Sequence, residues 1–408
     1  MIAHPMCATD CLPESNFRDL RLRTIFDCFK WDPQVQDSSV LAPFAITIPE
    51  KAWRELASMA ERLAAETIAG EDRILSNTTL LSSLKLPRKL EKAIRCSTKI
   101  AAVPRVMRFD FHWTTEGWRI SEVNSDVPGG FIEAQGFTGL VAEVFGLRTT
   151  GFPATAVARA LIATADSAEP HVGFVHASAY TDDRQVMLFL ARELEKLGGH
   201  AVLLDPSQID WRREAAVARC SWFQGKLDAL FRFFPAEWLP NLRRTCGWEN
   251  YFANSHVQQC NPATALISQS KRFGILCPEL RTLLPTWNSL LPPTHAVRKI
   301  DPRSADWVFK PALGRVGDGI GIAGITREKE LREIHRSMSF FASEWVAQQR
   351  FQMIPVETPL GPQHVCLGVY TVNGLAAGIY GRCSASPIIN HTARDVAVLL
   401  AADPQEVL

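Results

Sequence analysis

Little in this chain of 408 residues is concentrated in one place. No apolar run reaches the length needed to span a bilayer. No block of like charge forms a tail, and the formal net charge is only +1. That balance excludes the electrostatic footprint expected of a protein that binds nucleic acid or an anionic membrane. The ten cysteines are scattered without a Cys-x-x-Cys pair, and Cys7 and Cys11 have no second pair at zinc spacing. Reduced thiols in a cytoplasmic protein are therefore expected, not a disulfide scaffold or a zinc module. The first ten residues lack the basic and apolar regions of a signal peptide, so none is expected. The stretch from 171 lacks a Gly-x-Gly-x-x-Gly after its first strand, a Gly-Lys-Ser/Thr loop is missing, and there are no internal repeats.

What is present is an ordinary globular composition, 47% apolar and 21% charged, long enough for two or three domains. Residues 1–45 carry four prolines and little periodicity, which predicts an irregular leader with one short helix near 17–29. Pro49 then opens a helix with Trp53, Leu56, Ala60, Leu63 and Thr67 at helical spacing. A second helical stretch is expected over 80–94. Residues 46–170 form the first structured span. Residues 171–262 read as an α/β unit, with strands at 171–177, 201–204 and 227–233 and a helix at 184–197. Residues 263–408 begin with a helix over 263–276 that carries Lys271. Strands follow at 307–310, 344–351, 365–372 and 375–382, the last two flanking the hairpin signal Asn373-Gly374.

The most informative stretch is 108–126, with Arg108, Asp110, Glu122, Asn124 and Asp126 at alternate positions on either side of Thr115-Glu116-Gly117. A three-residue turn with a left-handed glycine predicts pairing of Thr114 with Trp118. The same register sets Asp110 opposite Glu122 and Arg108 opposite Asn124, all on one face. Opposed carboxylates beside an amide suit Mg²⁺, and the arginine suits a phosphate. A second cue is the run Gly314, Gly317, Gly319 and Gly321, whose backbone N–H groups can approach an anion closely. It follows a strand ending in Lys310, and Arg382 ends a later strand. A metal hairpin, strand-end cations and an anion loop are the parts that phosphoryl transfer needs.

In order along the chain, these residues resemble the glutathionylspermidine synthase family, specifically its synthetase domain. The resemblance rests on Arg108-x-Asp110 with Glu122-x-Asn124-x-Asp126, and on Phe234-Pro235-Ala236-Glu237-Trp238. It rests also on Asn261-Pro262 with Ser270-Lys271 and Leu283-Leu284-Pro285, on Lys310-Pro311 with Gly314-Arg315-x-Gly317, on Trp345-Val346-Ala347-Gln348-Gln349, and on Gly381-Arg382. It implies an α/β fold: ATP-grasp with a preceding Rossmann-like pre-ATP-grasp domain. It implies ATP and two Mg²⁺ ions, with small-molecule or peptide carboxylate and amine substrates joined as an amide through an acyl phosphate.

Carried over by the resemblance, Asp110, Glu122 and Asn124 hold the metal, with Asp126 a weaker candidate. Arg108 and Arg382 are catalytic, on the transferring phosphoryl group. Lys271, Lys310, Gly314, Arg315, Gly317, Gln348 and Gln349 bind the nucleotide. Two departures stand out. Residues 127–130, Val-Pro-Gly-Gly, lack the small hydroxyl residues that some members use on glutathione. The stretch before the first family-like helix is too short for the Cys–His amidase domain of bifunctional members. An ATP-grasp kinase, a hydrolase using Asp110 and Glu122, and a nucleotide-binding protein without catalysis remain alternatives.

Overall fold

The computed structural model describes residues 4–31, 34–35, 38–97, 104–212, 215–253, 257–315 and 317–401. An eight-stranded sheet forms its centre. Across it run Cys7–Ala8, Leu41–Ile48, Arg394–Leu400, Leu375–Ser384, His364–Val372, Val106–Thr114 and Gly117–Asn124, with Arg148–Thr149 also paired to Arg394–Leu400. Most neighbours are antiparallel, but Leu41–Ile48 and Arg394–Leu400 run parallel. Both of those strands are almost wholly buried, as continuous apolar runs should be. The leader was thus expected to be irregular too far along. Its end enters the sheet at Leu41, and a helix fills Glu14–Cys28.

The helix after Pro49 spans Glu50–Leu75 and buries Leu56, Met59, Ala60 and Leu63 against the sheet. The single helix expected over 80–94 is two, Thr78–Ser83 and Arg88–Arg95. Pro87 restricts the residue before it to extended backbone, and Lys85 is left-handed with φ 53°.

The α/β unit has the expected strand–helix–strand order. His171–Val175, His200–Leu204, Ala229–Arg232 and Gln258–Cys260 form a four-stranded parallel sheet, and Thr181–Glu195 is the helix between the first two. An antiparallel meander at Ile209–Arg212, Ala215–Arg219 and Gln224–Leu227 is an addition that periodicity did not reveal.

A smaller antiparallel sheet, Thr294–Ala296, Trp345–Gln349, Trp307–Pro311 and Gly321–Ile322, packs against Glu328–Phe340 through its own core of Phe309, Ile334, Met338 and Ala347. The helix expected over 263–276 is interrupted. Ser270 has ψ 123°, and the N–H of Lys271 bonds to Ala312 O at 2.8 Å, not back along a helix. Lys271 therefore sits on a turn between Leu266–Gln269 and Phe273–Leu276. All ten cysteines are free thiols. No helix among the described residues is long and apolar enough to cross a membrane.

Candidate functional site

The hairpin Val106–Asn124 is built differently from its predicted register, with consequences for the site. Thr114 pairs with Gly117, not Trp118, so the loop has two residues, while Gly117 takes the expected left-handed φ of +86°. At the base Arg108 does pair with Asn124. The two registers are reconciled by a bulge that sets Ser121 and Glu122 together opposite Asp110. Asp110 and Glu122 are therefore not a regular ladder pair. A bulge takes a residue out of the ladder, and Ser121 O accepts a hydrogen bond from Lys310 Nζ at 3.2 Å. Ser121 Oγ lies 3.0 Å from His112 Nε2.

The hairpin forms one wall of a cleft of about 1360 Å³. Arg108, Asp110, Glu122, Asn124, Lys271, Lys310, Gly314, Arg315, Gly317, Gln348, Gln349 and Arg382 all line it. The residues carried over for metal, nucleotide or phosphoryl contact thus reach one cavity, except Asp126, while Gly319 and Gly321 of the glycine run do not line it. The Asp126 carboxylate is fully buried behind the wall. It is paired with Arg232, accepts the Ala236 N–H at 2.9 Å, and lies 3.4 Å from Arg315. Asp126 is a structural anion between the hairpin and the α/β unit, because both its oxygens are already taken.

Acids and cations interlock around the hairpin. Arg108 grips Asp110 in a two-point contact, Nε to Oδ1 at 2.8 Å and one terminal nitrogen to Oδ2 at 3.1 Å. Asn124 Nδ2 also donates to Asp110 Oδ2, at 3.1 Å. Lys271 Nζ lies 2.9 Å from Glu122 Oε2 and donates to Gly314 O at 2.7 Å, tying the glycine-rich loop to the hairpin. Burial alone would raise the Glu122 carboxyl, but Lys271 and Lys310 outweigh it and hold it at about 2. Burial lowers the Lys310 ammonium to about 8, against the pull of Glu122. Lys310 donates to Gln348 Oε1 at 2.7 Å and has no carboxylate partner among the described residues. His112, which shares the Arg108 and Asp110 face, is pushed down to about 3 by burial and by Lys310, so it stands neutral.

Arg382 is held by Asn390 O at 2.5 Å, while its Nε is buried without a hydrogen-bond partner. Arg315 crosses to the Phe-Pro-Ala-Glu-Trp segment, where it meets Glu237 Oε1 at 2.7 Å and the ring of Trp238 at 5.9 Å. Gly317 has φ +69°, and a Cβ there would lie 2.3 Å from Ile389 O, so only glycine lets the loop pack this closely. Gln349 is exposed, and its N–H is bonded to Pro293 O at 2.8 Å.

Among the described residues no three His, Cys, Asp or Glu converge as a metal-binding group. The hairpin nevertheless suits a hard cation that takes part of its shell from phosphate and water. Glu122 Oε1 and Asn124 Oδ1 are oxygens to which no described residue donates. Asp110 Oδ1 accepts one hydrogen bond and Oδ2 two, so Oδ1 keeps a lone pair that could join them. Among the cleft residues not read from the sequence are His112, Tyr380, Lys30 and Asp395. The first two could have been, since His112 and Tyr380 lie two residues from Asp110 and Arg382 and so share their faces.

In overall structure the chain is similar to a glutathione synthetase-like effector from Globodera pallida, solved in its apo form. The TM-score is 0.66 at 12% identity, over 96% of this chain and 100% of that one, which is a likeness of fold. A Methylobacillus flagellatus KT protein assigned as a gamma-glutamylcysteine synthetase matches with a TM-score of 0.45 at 10% identity, covering 82% of this chain and 88% of that one. No curated protein matches the sequence significantly. A family model described as glutathionylspermidine synthase preATP-grasp matches residues 28–401, and the chain belongs to that family and has its α/β, ATP-grasp type of fold.

Proposed function

We propose that this protein is an ATP-dependent carboxylate–amine ligase that forms an amide through an acyl phosphate and releases ADP and phosphate. The carrying observation is convergence. Arg108, Asp110, Glu122 and Asn124 from one hairpin, Lys271 from a turn, Lys310 and Arg382 from two other strands, and Gly314, Arg315 and Gly317 of the glycine-rich loop all line one cleft. Chemistry that transfers a phosphoryl group needs charge placed in advance, not a protein nucleophile.

The chain's own groups divide the work. Lys271 and Lys310 neutralise nucleotide phosphates and release Glu122 and the hairpin oxygens as they do so. Arg108 and Arg382 face the transferring group and stabilise charge on its oxygens. The backbone of Gln348 and Gln349 borders the base. Glu122, Asn124 and Asp110 would hold Mg²⁺, which would supply neutralisation of phosphate charge. The substrate carboxylate attacks the γ-phosphorus and ADP leaves. The amine then attacks the acyl carbon, loses a proton, and phosphate leaves.

The family and the hairpin support this reading over a hydrolase. An acid/base pair needs one carboxyl raised toward neutrality, and the cations beside Glu122 drive it down to about 2. The deciding experiment measures ADP release against panels of acids and amines with Mg²⁺, with mass spectrometry of the products. Amide formed in step with ADP is expected. A phosphorylated acid that persists when amine is present would make the protein a kinase, and ATP bound without turnover would make it a binding protein.

A further inference from the structure

Behind the phosphoryl-facing arginines lies a layer that the proposed chemistry does not touch. Tyr380 stands opposite Gly368 on the neighbouring strand, and Gly368 is paired in turn with Asp110. The row Asp110, Gly368, Tyr380 therefore crosses three strands with no side chain in its middle. Arg108 lies across that gap. A Cβ on Gly368 would come 2.7 Å from Arg108 Cδ and 2.9 Å from its Nε. The guanidinium ends over the Tyr380 ring, 5.1 Å from its centroid.

The ring is itself held. Gly130 has φ +93°, and a Cβ there would lie 2.8 Å from Tyr380 Cδ1, so only a glycine backbone fits against it. The Tyr380 hydroxyl donates to Asp395 Oδ1 at 2.6 Å. Arg382 Nε is 4.0 Å from the same oxygen. The other oxygen of Asp395 is 3.7 Å from Lys30 Nζ, which lies 2.6 Å from Glu133.

We propose that Tyr380 is a positioning residue for the phosphoryl-transfer centre: its ring carries the Arg108 guanidinium, and Asp395 ties that ring to Arg382. The chemistry rests on the ligase reading, whereas the placement rests on geometry alone. Arg108 has five N–H groups. Three are committed, two to Asp110 and one to Gly129 O at 2.8 Å. The electron-rich ring face attracts the cation and covers one side of it. The remaining N–H groups, one of them beside the Tyr370 hydroxyl, are held in a fixed plane at the cleft. Without the ring, the guanidinium loses a wall and can turn away from Asp110. Asp395 gives the two arginines a shared frame, so a shift of the ring is felt by both.

The test is a double-mutant cycle on ADP release. Tyr380→Phe keeps the ring under Arg108 and loses only the tie to Asp395, so it should lower kcat by no more than roughly threefold, whereas Tyr380→Leu should lower kcat by roughly tenfold or more with the KM for ATP changed less than about threefold. On an Arg108→Ala background Tyr380→Leu should cost much less than in wild type, because most of its effect runs through the missing arginine and only the part carried by Asp395 to Arg382 remains. A loss on that background as large as in wild type overturns the proposal. If the leucine variant does not fold, Tyr380→Met serves in the same cycle. A crystal structure of the folded variant reads the placement without turnover. Arg108 displaced from Asp110 and Gly129 supports the assignment, and an unmoved Arg108 overturns it. If the wild-type protein releases no ADP with any acid and amine, the ligase reading fails, and that structure alone decides the placement.

Discussion

Arg108 passes directly over Gly368, so closely that a single methyl group on Gly368 would meet its side chain at 2.7 Å. The glycine's φ is not in the left-handed region, so its backbone would accept alanine. The absence of a side chain there serves the arginine, not the strand. Gly368→Ala should therefore fold normally yet push Arg108 off Asp110, lowering turnover by roughly tenfold or more, a size in keeping with losing part of one electrostatic contact. Thermal melting and steady-state ADP release check both halves. An alanine variant with wild-type turnover would show that the contact does not matter.

Glu122 lies in a nest of cations, so its removal should affect stability as well as activity. Its folded-state value is about 2, below the ordinary 4.5. For a carboxyl lowered on folding, the stabilisation is present in full above about pH 4.5 and is lost as pH falls through about 2. Glu122→Gln should thus abolish Mg²⁺-dependent turnover and also lower the melting temperature at pH 7. The gap to wild type should close on acidification toward pH 2. An unchanged gap across that range would mean that the ion pair with Lys271 contributes nothing.

Lys310 is the nucleotide contact most sensitive to alkali. Burial brings its ammonium down to about 8 in the free protein, and a bound phosphate would hold the proton on. ATP affinity should then be level below pH 8 and fall above it, because binding must first restore the proton. Lys310→Ala should bind ATP weakly at pH 7 and lose this dependence. Calorimetric titrations between pH 7 and 9.5 make the comparison, and a wild-type affinity that stays level to pH 9.5 would contradict it.

Arg382 should act on rate more than on binding. Its Nε is buried without a hydrogen-bond partner. Charge grows on the phosphoryl oxygens only as the transition state forms. Arg382→Ala should reduce kcat by roughly a hundredfold or more while leaving ATP affinity nearly unchanged. Equal losses in kcat and affinity would assign it to ground-state binding.

The division between sequence and tertiary structure is visible within the hairpin. Alternation alone placed Arg108, Asp110, Glu122 and Asn124 on one face, because side chains in a strand alternate whatever the register does two residues away. The bulge at Ser121 and Glu122 was not legible, since an inserted residue leaves no mark in a polar–apolar pattern. Lys271 was identified by type and position but misplaced on a continuous helix. What breaks that helix is a bond from its N–H to Ala312 O, a partner 41 residues away in the chain.

The same limit explains the larger omissions. Leu41–Ile48 and Arg394–Leu400 are buried on both faces, so they carry no alternation by which to separate strand from leader. Asp126 looked like a member of the metal set because of its spacing, and it became a buried partner of Arg232 only when the α/β unit packed behind the hairpin. By itself the sequence determined which residue types could serve ATP chemistry and, through local periodicity, which of them share a face. Only the tertiary structure decided that Tyr380 lies under Arg108, that Gly368 opens the gap between them, and that Asp395 stands behind both Tyr380 and Arg382. Those relationships join strands from distant parts of the chain, and their energies depend on distances that no local pattern encodes.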